Sequence, residues 1–154
     1  MRRTLATFGL AAACLTPVVS RAQDANAEVL AVVKRLFDGM RAGDSAMVRS
    51  VFHPNIRLVS VGMRDGKTNV RIEQSADGFV KAVGTPHAEA WDERTSNEKV
   101  MIDGPVASVW TDYTFHLGSK LSHCGIDHFL LVKEDGVWRM IELADTRRTT
   151  GCGT

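Results

Sequence analysis

From Val29 onward apolar side chains return every three or four places, at Val29, Val33, Leu36, Phe37 and Met40, with Val32 widening the stripe. That spacing predicts an amphipathic helix. Asp24 or Asn26 can cap it, Glu28 lies in its first turn, and Gly43 is placed to stop it. Asp44 can cap a second helix in which Met47, Val48, Val51 and Phe52 share a face and which Pro54 closes after His53. The texture changes at Ile56. Residues 56–61 read as a strand, Asp65-Gly66 as a turn, and residues 68–72 as a second strand. Ser75 can cap a short helix carrying Phe79, Val80 and Val83, ended by Gly84-Thr85-Pro86. Longer β segments follow at 88–102 and 106–116, separated by Asp103-Gly104-Pro105, with a turn at Gly118-Ser119-Lys120. The last two arms, 121–133 and 137–146, flank Asp135-Gly136, the strongest hairpin signal in the chain. Two helices, a strand pair, a short helix and then long antiparallel strands are the order of an α+β domain.

The first stretch stands apart from this pattern. Met1-Arg2-Arg3 is a short basic segment, an apolar run covers residues 5–19, and Ser20-Arg21-Ala22 puts small residues at −3 and −1 of a cleavage point before Gln23. These are the parts of a secretory signal peptide. The run is too short for a membrane span and Pro17 interrupts it. Residues 1–22 are therefore expected to be removed on export to the periplasm or beyond. Residues 23–154 then form one domain with no integral membrane span. Cys14 follows Ala11-Ala12-Ala13 but lacks the polar sequence that follows a lipid-bearing cysteine.

Losing Arg2, Arg3 and Arg21 turns the formal charge from +1 to −2. A mildly acidic surface does not suit the phosphate backbone, so nucleic acid is not an expected partner. Cys124 and Cys152 remain, an even pair that favours a disulfide in an oxidising compartment, with two buried thiols as the alternative. The bridge would close a loop of about 28 residues, worth roughly 3–4 kcal/mol by chain entropy.

Two segments, RLFDGMRAGDSAMVRSVFHPNIRLVS and SHCGIDHFLLVKEDGVWRMIELADTRRTTGC, together resemble the nuclear transport factor 2-like superfamily. More narrowly, they look like its branch labelled putative lumazine-binding, close to SnoaL-like proteins. The resemblance lies in the Gly-Asp step between two helices and in the Phe-His-Pro leading to the first strand. It continues through the His-Cys-Gly-x-Asp-x-Phe strand, the Gly-x-Trp hairpin and the closing Thr-Arg-Arg. It spans essentially all of residues 23–154. It implies a curved antiparallel sheet with helices over its concave face, a cone-shaped α+β barrel enclosing a pocket. It also implies a homodimer, since superfamily members often self-associate through the exposed sheet face. Chemistry is not implied, because this scaffold carries isomerases, cyclases, dehydratases and binding proteins alike.

Alternation along 121–133 puts His123, Gly125, Asp127, Phe129 and Leu131 on one face and Cys124, Ile126, His128 and Leu130 on the other. The family's Asp-x-Phe-x-Leu pattern points the first set inward, whereas both faces are largely apolar. An inward Asp127 would have a raised pKa and could act as a general acid or base. Alternatively it is a structural carboxylate held by an Arg or a Trp N–H. His123, the second catalytic candidate, lies roughly 13 Å along the strand from Asp127, too far for a direct dyad, and is placed near the rim, where it could contact substrate or merely be solvated. Trp110, Tyr113 and Phe129 are candidate walls for a planar ligand, with core packing as the competing role. Arg147, or its neighbour Arg148, could meet an anionic group or a surface carboxylate. His116, His123, Cys124, Asp127 and His128 are too far apart or on opposite faces to hold zinc, so no metal and no cofactor is expected.

The leading expectation is an exported pocket protein binding a small, partly aromatic molecule. Its rivals are a SnoaL-like enzyme using Asp127 for proton transfer, and a dimerisation or scaffold module.

Overall fold

The computed structural model describes residues 19–153. Helix α1 (Val19–Ala42) buries the expected stripe of Val29, Val33, Leu36, Phe37 and Met40. Asp24 and Asn26 fall inside the helix and do not cap it, because the preceding residues continue the helix. The expected signal peptide lies outside the described residues except for 19–22, which open α1. Gly43 takes the left-handed conformation that ends the helix (φ 66°), and the Asp44 N–H returns to the Gly39 carbonyl at 2.8 Å. Asp44 then caps α2 (Ser45–Ser50), its side chain accepting from the Met47 N–H at 2.8 Å.

The second helix stops before Phe52. Phe52 instead begins β1 (Phe52–Arg64), where it pairs with Met140, while the Met140 N–H donates to the Val51 carbonyl at 2.9 Å. Pro54, which has no N–H to give a ladder, falls in the irregular stretch between the pairings of Phe52 and Arg57. The remaining elements are β2 (Lys67–Glu73), α3 (Asp77–Gly84), β3 (Trp91–Asp103), β4 (Val106–Leu117), β5 (Lys120–Glu134) and β6 (Val137–Arg147). Asp65-Gly66 and Asp135-Gly136 form the expected tight turns, all four residues having positive φ. A bulge between Ser96 and Lys99, with Asn97 at φ 58°, bends β3 in a way its alternation did not foretell.

The six strands form one sheet in the order β2-β1-β6-β5-β4-β3. It is mixed, not wholly antiparallel, because β6 runs parallel to β1. Side-chain alternation is the same for either direction, so the pattern could not distinguish them. The sheet curves without closing, and β2 and β3 remain its edges. Helix α1 packs on the inner face, where Phe37 meets Phe129 edge-on at 6.0 Å beside buried Val109, Leu131 and Met140. Glu28 of α1 ties down the β5–β6 hairpin, accepting from Lys133 Nζ at 2.7 Å and Trp138 Nε1 at 3.3 Å. Cys124 and Cys152 are joined, with Cα atoms 5.6 Å apart, fastening the C-terminal segment to β5. Among the described residues no helix is long and apolar enough to cross a membrane.

Candidate functional site

The space between the curved sheet and the helices that the α1 core leaves unfilled is a cavity of about 600 Å³. Alternating side chains of several strands converge on it: Leu58 and Ser60 from β1, Trp91 and Glu93 from β3, Phe115 from β4, His123 from β5, and Leu143, Asp145 and Arg147 from β6. Phe79 of α3 and Met40 of α1 complete its apolar side. Arg71 and Glu73 of β2 stand at its border, bonded to each other at 3.2 Å.

The polar part of the wall is built in two layers. In the first, Asp145 is a saturated carboxylate. Ser60 Oγ donates to Oδ1, and Arg147 Nε donates to Oδ2 at 3.1 Å. The Tyr113 hydroxyl lies 3.4 Å from Oδ2 but donates chiefly to the Thr146 carbonyl at 2.9 Å. Burial and the neighbouring carboxylates push the Tyr113 phenol well above its ordinary pKa, so it stays a neutral donor. His123 packs between Tyr113 and Phe115, with ring centroids 5.8 and 4.8 Å away. Desolvation, followed by the Arg147 charge, lowers its pKa and keeps the ring neutral.

The second layer is Glu93 over Asp127. Asp127 is 2% exposed, and among the described residues no donor reaches its Oδ2. Its carboxyl and that of Glu93 are within hydrogen-bonding reach of each other. Desolvation raises both pKa values, and the Glu93 and Asp145 carboxylates further oppose ionisation of Asp127, while the hydrogen bond from Asp127 partly offsets the rise at Glu93. Asp127 is pushed well above the carboxylate range, and Glu93 up to about 7. Two carboxyl groups so placed cannot both ionise, so they share a proton that resides on Asp127, the more deeply buried acid.

Of the residues singled out in the sequence, His123 and Arg147 line the cavity. Asp127 and Tyr113 lie one layer behind it, and Phe129 sits in the core against α1. Trp110 is on the outer face of the sheet, 48% exposed and 6.1 Å from His128, away from the cavity it was expected to wall. Alternation places it there, three positions and therefore one face away from inward Tyr113. Glu93 escaped notice because its flanks, Asp92 and Arg94, make the segment look like a solvated surface, and they pair with each other at 2.7 Å. The available signal was Trp91-x-Glu93, an aromatic and an acid on one face of a strand. Among the described residues no group of His, Cys, Asp or Glu is arranged to hold a metal ion.

Residues 24–143 match the model of a family described as "Putative lumazine-binding". No curated protein matches the sequence. Among solved structures, the chain is similar to a nuclear transport factor 2-like protein with a cystatin-like fold from Novosphingobium aromaticivorans. Identity there is 9%, the TM-score is 0.70, and 87% of this chain and 88% of that one are covered. A nuclear transport factor 2-like protein of unknown function from Shewanella baltica is 16% identical, with a TM-score of 0.61 over 88% of this chain and 99% of that one. A protein described as a putative ketosteroid isomerase from Shewanella frigidimarina is 20% identical, with a TM-score of 0.55 over 74% and 90% of the two chains. At these identities the likeness is one of fold.

Proposed function

The chain belongs to the family described as "Putative lumazine-binding", within the nuclear transport factor 2-like superfamily, and from that premise we propose that it is an exported protein whose cavity binds a small, partly aromatic molecule. The observation that carries this reading is the cavity itself. It is large enough for a two- or three-ring molecule, and Trp91, Phe115, Phe79 and Leu58 give it apolar walls. Asp145, Arg147, His123 and Glu93 are fixed polar groups that can orient what enters. The carboxylate and guanidinium are already bonded to each other, so the site is organised before a ligand arrives. Native mass spectrometry of protein purified gently from the cell envelope tests the reading. A stoichiometric adduct lost on denaturation is expected. Protein that is empty from every source, and that no aromatic ligand stabilises against heat, would contradict it.

A second reading is a SnoaL-like enzyme in which Asp127 moves a proton. It is supported by the raised pKa of that buried acid. Turnover lost in Asp127→Asn while ligand binding persists would favour it. Self-association through the outer sheet face, where Trp110 is exposed, belongs to the same proposal and is checked by sedimentation.

A further inference from the structure

Every cation on the cavity wall already has a carboxylate of its own. Arg147 is 3.1 Å from Asp145, and Arg71 is 3.2 Å from Glu73. Among the described residues no cation forms an ion pair with Glu93 or Asp127. The two acids have each other, a single shared proton once Glu93 ionises and, among the described residues, an Asp127 oxygen that no donor reaches. Glu93 is the member of the pair that borders the cavity, and it is flanked there by Trp91, two residues before it, and by Phe115, its cross-strand partner. The wall thus offers an uncompensated acceptor between two aromatic rings.

We propose that Glu93, backed by Asp127, is the recognition site for a flat aryl or heteroaryl cation that presents N–H groups, of the amidine or protonated aminoheterocycle class. The ligand's ring would lie against Trp91 and Phe115, and its N–H groups would donate to Glu93. This rests on the reading of the cavity as a ligand pocket and adds the charge and donor character of the ligand. The charged and titratable groups around Glu93 are Asp127 and His123 from β5, Asp145 and Arg147 from β6, and Tyr113 from β4. The Arg147 field favours ionised Glu93 and opposes a cation, but that guanidinium is engaged by Asp145. Helices α1 and α3 present Met40, Phe79 and Ala82, none of them charged.

Three isosteric probes test the site by calorimetry on the intact protein: 2-naphthamidine, neutral 2-naphthamide and anionic 2-naphthoate. At pH 8 the amidine should bind at least about tenfold more tightly than the amide, as expected for a charge-assisted hydrogen bond formed away from water. The cation needs ionised Glu93, so the amidine-to-amide ratio should climb with pH, by up to about tenfold per unit below about pH 7, and level off above it. Glu93→Gln should bring the ratio near one and flatten the profile. Because the wild-type profile needs no variant, the test survives a Glu93→Gln protein that fails to fold. Equal binding of all three probes, preference for the naphthoate, or a ratio independent of pH would overturn the cation site while leaving the pocket reading intact. No binding of any probe would count against both.

Discussion

Gly125 and Tyr113 face each other across β5 and β4, and the tyrosine ring occupies the space a side chain at 125 would need. A Cβ there would lie 2.7 Å from Tyr113 Cε1 and 1.7 Å from the Thr146 carbonyl oxygen. That carbonyl is turned inward to accept from the Tyr113 hydroxyl, while the Thr146 hydroxyl takes the Ile126 N–H at 2.9 Å. Gly125, Tyr113 and Thr146 are therefore one device, which bows β6 away from β5 beside the acids.

Gly125→Ala should destabilise by about 3 kcal/mol or more, since a backbone oxygen cannot move aside as a flexible side chain would. Tyr113→Phe removes only the hydroxyl and should cost about 1–2 kcal/mol, leaving one acceptor short of a donor. Urea denaturation of both variants checks the order. A Gly125→Ala protein as stable as wild type would mean that β6 is not held as described.

The outer and inner tryptophans should part company. Trp91→Ala is expected to weaken aromatic-ligand binding by about tenfold or more, through loss of a stacking wall. Trp110→Ala should leave binding within about twofold, because that ring points away from the cavity. Fluorescence-independent titration, by calorimetry, separates the two. Equal losses would place the ligand elsewhere.

Helix α1 and the DG turns were legible because each rests on local spacing, the Val29-to-Met40 stripe and the Asp-Gly pairs, whereas alternation only sorted β5 into two largely apolar faces and the family resemblance chose the one from His123 to Leu131 as inward. The parallel pairing of β1 with β6 was not, since no residue records the direction of a partner 85 positions away, as in Ser60 with Asp145. Phe52 has helical spacing with Val48 but pairs as a strand because Met140 takes the Val51 carbonyl. Within the site, Asp127 stood out as an acid among apolar neighbours. Its partner Glu93 lies on another strand among surface-like charges, and only the fold brings the two together.

Export should leave the fold untouched. Among the described residues the first buried side chain is Val29, and Glu28 anchors the helix to Lys133 and Trp138. A chain starting at Gln23 retains both. It should melt within about 2 °C of longer forms, since both anchors stay with the shortened helix. Intact mass of envelope protein should show Gln23 first; retention of Met1 would refute the cleavage.

Reduction should weaken the protein without unfolding it. The Cys124–Cys152 link closes a loop of 28 residues, for which chain entropy gives about 3–4 kcal/mol. Cys152→Ser should lower the melting temperature by several degrees, and a reductant should do the same to wild type but nothing further to the variant. The β5 ladder, including Cys124 N–H to the Arg148 carbonyl at 2.9 Å, should persist in part. Free alkylation of both thiols in freshly exported protein would rule the link out.

Stability should fall as pH rises toward and past neutrality, and the acid pair is the reason. Both Glu93 and Asp127 have folded-state pKa values above their unfolded ones, so folding favours their protonated forms. Their contribution is complete below an unfolded pKa of about 4 and is lost as pH climbs through the folded values. For Glu93 the window closes at about 7, while Asp127 stays protonated beyond it. The loss attributable to Glu93 is on the order of 1–3 kcal/mol. Asp127→Asn is nearly isosteric and can donate to Glu93 without a titratable proton. It should keep the fold, leave stability at pH 7 unchanged or higher, and leave the Glu93 titration near where it was, because the amide donates in place of the Asp127 proton. Glu93→Gln should flatten the wild-type slope between about pH 5 and 8. Arg147 cannot supply an alternative explanation, since its hydrogen bond goes to Asp145. If Asp127 were instead a carboxylate holding a cation, its pKa would be depressed and Asn would destabilise at neutral pH. Thermal melts of the three proteins across this range therefore read the charge state of the pair directly: a marked drop at pH 7 for Asp127→Asn would mean that Asp127 is ionised in the native protein, and the shared proton would have to be abandoned.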